Sequence, residues 1–302
     1  MLAVLSPGQG SQTPGMLRPW LDDPALDTLV GEMSEAARLD LRTLGTTADA
    51  ATITDTAVAQ PLIVAASLVS FAALGVTTDV AAGHSVGELA ALAVAGVVTP
   101  ADAVALAGVR GRAMAEAASA VETGMSAVVG GSRDEVLDAI SRAGAVVANV
   151  NSGGQVVAAG TPAQLAELAA APPSRARVIP LAVAGAFHTS YMARAVDAVR
   201  EAAAALEPHD PTATLLSNRD GAVVETGRDA LDRIVSQITS PVRWDLCSER
   251  IAALGVGGLV ELCPGGVLTG LAKRELRGIP ACAITSPDDL DAARAIAKGL
   301  TA

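Results

Sequence analysis

Aromatic side chains are nearly missing from this chain: Trp20, Phe71, Phe187, Tyr191 and Trp244 are the only five in 302 residues. With 51% of the residues apolar, the core has to be assembled from Ala, Val, Leu and Ile. Lysine occurs only at Lys273 and Lys298, and the net charge is −11. No broad basic face is therefore available to neutralise phosphates, which disfavours a nucleic-acid role. Cys247, Cys263 and Cys282 are odd in number and lack C-x-x-C spacing, which argues against a disulfide framework or a metal site. Met1–Leu5 has no basic leader and runs straight into Pro7-Gly8, so it reads as a first strand and not as a signal peptide. One long uncharged run does exist, from Thr56 to Thr78. Gln60-Pro61, Ser67 and Ser70 interrupt it, and basic or aromatic anchors do not flank it. It is expected to be a fully buried helix with Pro61 in its first turn, not a membrane span. These readings describe a soluble, cytoplasmic chain, long enough for one large α/β unit or two domains. Nothing in it requires more than a monomer.

What is present centres on Gly83-His84-Ser85-Val86-Gly87-Glu88. The apolar run Val80-Ala81-Ala82 leads in and Leu89–Ala95 leads out, which is a strand, a sharp corner and a buried helix. The corner matches G-x-S-x-G, where a serine is held on a tight strand-to-helix turn. Glycines on either side let strand and helix approach closely, and the helix start favours developing negative charge. Ser85-x-x-Glu88 is equally a capping box, which would start a helix and do nothing else. The loop Ser6-Pro7-Gly8-Gln9-Gly10-Ser11-Gln12 fits neither G-x-G-x-x-G nor the Lys-bearing P-loop. It offers unobstructed backbone N–H groups.

Thr99 and Pro100 suit an N-cap and first turn, and Ala103, Leu106, Ala107, Arg110, Ala113, Met114 and Ala117 then form one apolar stripe. A guanidinium on that stripe must have a partner. On the residues alone, a structural salt bridge to Asp102 or Glu116 outweighs a clamp for a substrate carboxylate. Residues 125–187 run strand, helix, strand, strand, helix, strand, the βαββαβ order of a ferredoxin-like unit set into a larger α/β domain. Just beyond lies Ala184-Gly185-Ala186-Phe187-His188. His188 is either a satisfied structural histidine or the general base of the elbow serine.

Taken together, Pro7-Gly8-Gln9-Gly10-Ser11-Gln12, Gln60-Pro61, Gly83–Glu88, Arg110-Gly111-Arg112, Asn149-Val150-Asn151-Ser152, Gly185-Ala186-Phe187-His188, Ser240-Pro241-Val242-Arg243-Trp244 and Pro264–Leu271 resemble the malonyl-CoA:acyl-carrier-protein transacylases. The resemblance covers nearly the whole chain. It implies an α/β-hydrolase-like core, residues 1–124 and 188–302, with a ferredoxin-like small domain at 125–187. It also implies a ping-pong reaction, in which Ser85 takes the malonyl group from malonyl-CoA as an ester. The phosphopantetheine thiol of acyl carrier protein then removes it, and no cofactor of the enzyme's own is needed. By the same resemblance His188 is the base, oriented by the main-chain carbonyl of Gln237. The N–H groups of Gln9 and Val86 form the oxyanion hole. Arg110 pairs with the malonyl carboxylate, His84 and Asn151 line the substrate site, and Phe187 leaves no space for an α-methyl branch.

Departures from the family pattern are small: Ser6 stands for a phenylalanine, and Cys263 and Gly266 for a glycine and a lysine. Lys273, Arg274 and Arg277 are the candidates for docking an acidic carrier protein. The rival functions are a serine thioesterase or esterase for acidic acyl groups, which shares the elbow but uses water, and a non-catalytic protein in which Ser85 only caps a helix.

Overall fold

The structure, a computed structural model, describes residues 1–300. Strand β1 (Leu2–Ser6) leads to helices α1 (Pro24–Ala37), α2 (Leu41–Thr46), α3 (Ala50–Thr54) and α4 (Thr56–Leu74), then β2 (Val80–Gly83), α5 (Gly87–Val94) and α6 (Pro100–Ala120). Next come β3 (Gly124–Gly130), α7 (Arg133–Arg142), β4 (Val146–Ser152), β5 (Gln155–Gly160), α8 (Pro162–Ala170) and β6 (Ala176–Pro180). The chain finishes with α9 (Val196–Ala204), β7 (Thr214–Leu216), β8 (Val223–Val224), α10 (Gly227–Gln237), β9 (Val242–Arg243), α11 (Trp244–Ala253), β10 (Gly258–Glu261), α12 (Val267–Glu275), β11 (Ala281–Ala283) and α13 (Leu290–Gly299).

Two sheets organise the molecule. The larger runs β11-β10-β1-β2-β7-β8, parallel throughout except for the antiparallel edge strand β8. Leu2 and Val4 of β1 face one apolar cluster, and Ala3 and Leu5 face the other. This period-2 alternation between two buried faces is what a sheet covered by helices on both sides requires. The smaller sheet runs β6-β3-β5-β4-β9. Its first four strands, with α7 and α8, have the order of a ferredoxin-like unit. The fold is thus an α/β-hydrolase-like core carrying a ferredoxin-like second unit. The fifth strand, β9, comes from Val242–Arg243 and pairs in parallel with β4. That strand is too short to leave a periodic signature, and so the sequence reading did not anticipate it.

Helix α4 is long and apolar enough to cross a membrane, but 72% of that stretch is buried inside the fold. It starts earlier than expected, because the Asp55 side chain accepts the Ala57 N–H and caps it. Pro61 consequently lies inside the helix and not in its first turn. Helix α6 begins as its sequence suggests: the Thr99 side chain accepts from Asp102 N, and Pro100 follows.

Candidate active site

The chemistry-bearing side chains gather at the carboxyl ends of the parallel strands, where open α/β sheets bind ligands. The loop with Gln9 leaves β1, Ser85 follows β2, and Asn218 follows β7. Ser85 has φ 54°, the left-handed region that a non-glycine residue rarely occupies. The flanking glycines make this corner possible. A Cβ on Gly83 would lie 2.0 Å from the Gly87 carbonyl oxygen, and one on Gly87 would lie 2.2 Å from that of Ser6.

The capping-box reading does not describe the corner. No side chain caps α5, whose N-cap position is Val86. Instead the Ser85 Oγ lies 2.7 Å from His188 Nε2. His188 Nδ1 lies 2.9 Å from the Gln237 main-chain oxygen. A carbonyl only accepts, so Nδ1 carries the proton and Nε2 is left to accept from the serine hydroxyl. Burial, then the positive charge of Arg110, hold the His188 imidazole down at about 3, and it is neutral at physiological pH.

Arg110 is 1% exposed, and its partners are not the expected acids. Asp102 is occupied by Thr99. Arg110 Nη1 donates to Gln60 Oε1 over 2.7 Å and Nη2 to Gln237 Oε1 over 2.8 Å, with Ser85 Oγ 3.5 Å away. Gly111 brings the Gln60 partner close, since a Cβ there would sit 2.8 Å from the Thr56 carbonyl oxygen of α4. Among the described residues no carboxylate forms an ion pair with Arg110. Its buried Nε has no hydrogen-bond partner. Burial lowers the guanidinium from its ordinary value, but not far enough to discharge it near neutral pH.

His84 Nε2 lies 2.8 Å from Asn151 Oδ1, and Asn151 Nδ2 donates to Gln155 Oε1 over 3.0 Å. The His84 ring also packs against Trp244, centroids 5.7 Å apart. The corner is thereby tied to β4 and β5 of the second sheet. Among the described residues, neither the Gln9 nor the Val86 N–H donates a turn or loop hydrogen bond to the backbone.

Ser85, His188, Arg110, Gln9, His84, Asn151 and Phe187 all line one cavity of ≈ 170 Å³. Gln237 and Val86 are not among its lining residues, and Gln237 reaches it through its contacts with Arg110 and His188. Two more residues complete the arrangement: Asn218, which the sequence does not single out, and Glu88, expected only as a capping-box partner. Asn218 Oδ1 accepts the Ser85 N–H over 2.7 Å, and its Nδ2 donates to the Gly83 carbonyl over 2.6 Å, so one side chain clamps both sides of the strained corner. Glu88 is buried, accepting from Asn218 N and from Gln237 Nε2. Burial raises its carboxyl to about 7, against the hydrogen bonds that favour the ionised form. The polar run Ser217-Asn218-Arg219-Asp220 at the end of an apolar strand was the available signal for Asn218.

The family described as "Acyl transferase domain" matches residues 4–295. The malonyl CoA-acyl carrier protein transacylase of Mycobacterium tuberculosis is 54% identical over 297 residues, which are 96% of this chain and 98% of that one. The crystal structure of MCAT from Mycobacterium tuberculosis superposes with a TM-score of 0.93, covering 96% of this chain and 98% of that one at 54% identity. A type II PKS acyl-carrier protein in complex with its malonyl-transacylase gives a TM-score of 0.88 at 31% identity, covering 97% and 98%.

Proposed function

This chain belongs to the acyl transferase domain family, and we propose that its reaction is carried out by Ser85, His188 and Arg110 through a malonyl-serine ester. The protein is a malonyltransferase: it moves the malonyl group from malonyl-CoA to the phosphopantetheine thiol of acyl carrier protein. The observation that carries the residue assignment is the 2.7 Å contact of Ser85 Oγ with His188 Nε2, in one cavity with an Arg110 that forms no ion pair among the described residues.

The malonyl carboxylate pairs with Arg110, whose planar fork suits two oxygens. Its thioester carbonyl is then presented to Ser85 Oγ. His188 Nε2 takes the hydroxyl proton as the Oγ–C bond forms. The N–H groups of Gln9 and Val86 receive the charge that develops on the carbonyl oxygen. The C–S bond breaks, and coenzyme A leaves with the proton from Nε2. In the second half the carrier thiol gives its proton to Nε2 and attacks the ester carbonyl, and Ser85 regains its hydroxyl. Gln237 holds the imidazole in the tautomer that this needs, so no third acid is required. His84 and Asn151 hold the cavity wall, and Phe187 fills the space beside the α-carbon.

The same proposal divides the chain into a discontinuous catalytic unit, 1–124 and 188–302, and an inserted unit, 125–187. Supporting it, β3 to β6 pair with one another and share a separate apolar cluster, with β9 of the catalytic unit added at the edge beside β4. It places the enzyme in the cytoplasm, working with no resident cofactor.

The test is acceptor choice with radiolabelled malonyl-CoA, alongside intact-mass detection of the Ser85 adduct. The expected result is a malonyl adduct on Ser85 and transfer to carrier protein faster than hydrolysis. Hydrolysis outrunning transfer would make the site a thioesterase, and no adduct would remove Ser85 from the chemistry.

A further inference from the structure

The carboxyl of Glu88 takes no part in the reaction derived above, yet it is tied to the groups that do. It is 4% exposed. Its Oε1 accepts the Asn218 N–H over 2.9 Å, and its Oε2 accepts from Gln237 Nε2. That same Nε2 lies 3.2 Å from the Ser85 carbonyl oxygen and 3.3 Å from Asn218 Oδ1. At the other end of the amide, Gln237 Oε1 accepts from Arg110 Nη2 over 2.8 Å.

The direction of this chain of hydrogen bonds is dictated by its ends. A guanidinium can only donate, and at the other end both Glu88 oxygens accept, Oε1 from the Asn218 N–H and Oε2 from Gln237 Nε2. Three acceptors surround the NH2 end of the Gln237 amide and a donor faces its oxygen. Turned over, the amide would set an oxygen against three acceptors and an NH2 group against the guanidinium. A buried network with two such mismatches is costly.

We propose that Glu88 is a positioning residue for substrate selection: it holds the Gln237 amide the way round that keeps the Arg110 guanidinium beside Ser85. It thereby sets the preference for acyl groups that end in a carboxylate. This rests on the reading of Arg110 as the malonyl clamp. Arg110 reaches its place through two neutral amides, Gln60 and Gln237, and the second is held in turn by the buried Glu88 carboxyl.

Glu88→Gln keeps the volume but offers one oxygen and one NH2, so it cannot accept from both Asn218 N and Gln237 Nε2. We expect kcat/KM for malonyl-CoA to fall about 10- to 100-fold, the loss associated with a hydrogen bond to a charged group. Acetyl-CoA, which has no carboxylate to clamp, should change little. Added to Arg110→Ala, the substitution should cause no further loss with malonyl-CoA. A merely structural role would lower both substrates together. An unchanged malonyl-to-acetyl ratio, or losses that add in the double variant, overturns the proposal. Should Glu88→Gln fail to fold, Gln237→Met removes the amide but keeps the main-chain oxygen that His188 uses. It must then show the same drop in ratio, and a retained ratio overturns the proposal. The Ser85 adduct of the unaltered enzyme and the ratio for Arg110→Ala alone report separately on the underlying reading.

Discussion

Arg110 and Gln237 meet over 2.8 Å, side chain to side chain, while the main-chain oxygen of Gln237 accepts from His188 Nδ1. One residue at the end of α10 therefore touches both the guanidinium proposed to hold the acyl carboxylate and the imidazole proposed to activate Ser85. The Arg110 charge also disfavours the imidazolium of His188. On the proposed assignment, a carboxylate bound to Arg110 would offset that charge, which couples binding of an acidic acyl group to strengthening of the base.

Replacing Arg110 by Ala should therefore discriminate between substrates. Truncating one partner of a buried, hydrogen-bonded charge pair costs about 2–5 kcal/mol. With malonyl-CoA, kcat/KM is expected to fall by that equivalent, upwards of about 30-fold. With acetyl-CoA the fall should be several-fold at most. Steady-state kinetics on the two substrates measure this, and equal losses would leave Arg110 a purely structural cation.

How far the site could be read from the chain varied with the range of the interaction. The elbow is local, and its glycines, serine and following apolar run are adjacent, so Gly83 to Glu88 announced it. Arg110 was visible as a charge on an apolar stripe, but the residues alone favoured Asp102 or Glu116 as its partner. Its real partners, Gln60 and Gln237, stand 50 and 127 positions away in the chain. No periodicity records such pairings, and only the resemblance to a known family favoured a clamp for a substrate carboxylate. Asn218 was passed over for the same reason: its clamp on Gly83 and Ser85 exists only because β7 lies beside β2. The βαββαβ unit was legible because each element is longer than one repeat of its own pattern. Strand β9, two residues long, was not.

The pH dependence of stability should carry opposing signatures from His188 and Glu88. His188 is depressed from 6.5 to about 3, so unfolding takes up a proton between those values and its contribution is lost as pH falls through that window. Glu88 is raised from 4.5 to about 7, so its contribution is present at low pH and lost as pH rises through about 7. Between pH 4.5 and 6.5 the two slopes, each at most about 1.4 kcal/mol per pH unit, oppose one another. His188→Gln removes the first alone, and its stability relative to the parent should rise as pH falls from 6.5. Denaturant melts of both proteins across pH 4.5 to 8 measure this. A constant difference would mean that His188 titrates alike in both states.

The strain at Ser85 predicts an inverted order of substitution. With φ 54°, an L-residue at this corner costs about 1–2 kcal/mol relative to right-handed geometry, and glycine does not. Ser85→Gly should therefore be about 1 kcal/mol more stable than Ser85→Ala, although glycine usually loses that comparison. Both variants lack the nucleophile and should form no malonyl adduct. Thermal melts set side by side decide it, and Ala equal to or above Gly would mean that the corner relaxes once the hydroxyl is gone.

Carrier docking should depend on α12. Val267, Leu268 and Leu271 of this helix line the active-site cavity, and Val267 is 52% exposed. Lys273 and Arg274 are exposed further along it, with Arg277 just beyond. On a chain of net charge −11 these three are a local basic cluster at the end of a helix that borders the site. Reversing all three charges to Glu should raise KM for an acidic carrier protein and weaken its salt dependence, while acylation by malonyl-CoA stays within a few-fold. Unchanged carrier KM would move docking to another face.

Phe187 offers the sharpest test of how the cavity selects among acidic acyl groups. The ring is buried and borders the cavity beside His188, together with Met114, Met125 and Val157. A malonyl group and its α-methyl homologue carry the same carboxylate, so Arg110 cannot tell them apart. Discrimination has to come from volume, and one methylene in a packed pocket is worth about 1–3 kcal/mol. Phe187→Ala opens more than that volume, so the relative kcat/KM for methylmalonyl-CoA over malonyl-CoA should rise about 10- to 200-fold. The substitution also removes core packing at a cost of about 3–5 kcal/mol, so the ratio and not the absolute rate is the quantity to read. A ratio that stays at the parent value would mean that the α-carbon does not point at Phe187, and that other lining residues such as Met125 and Val157 exclude the branch.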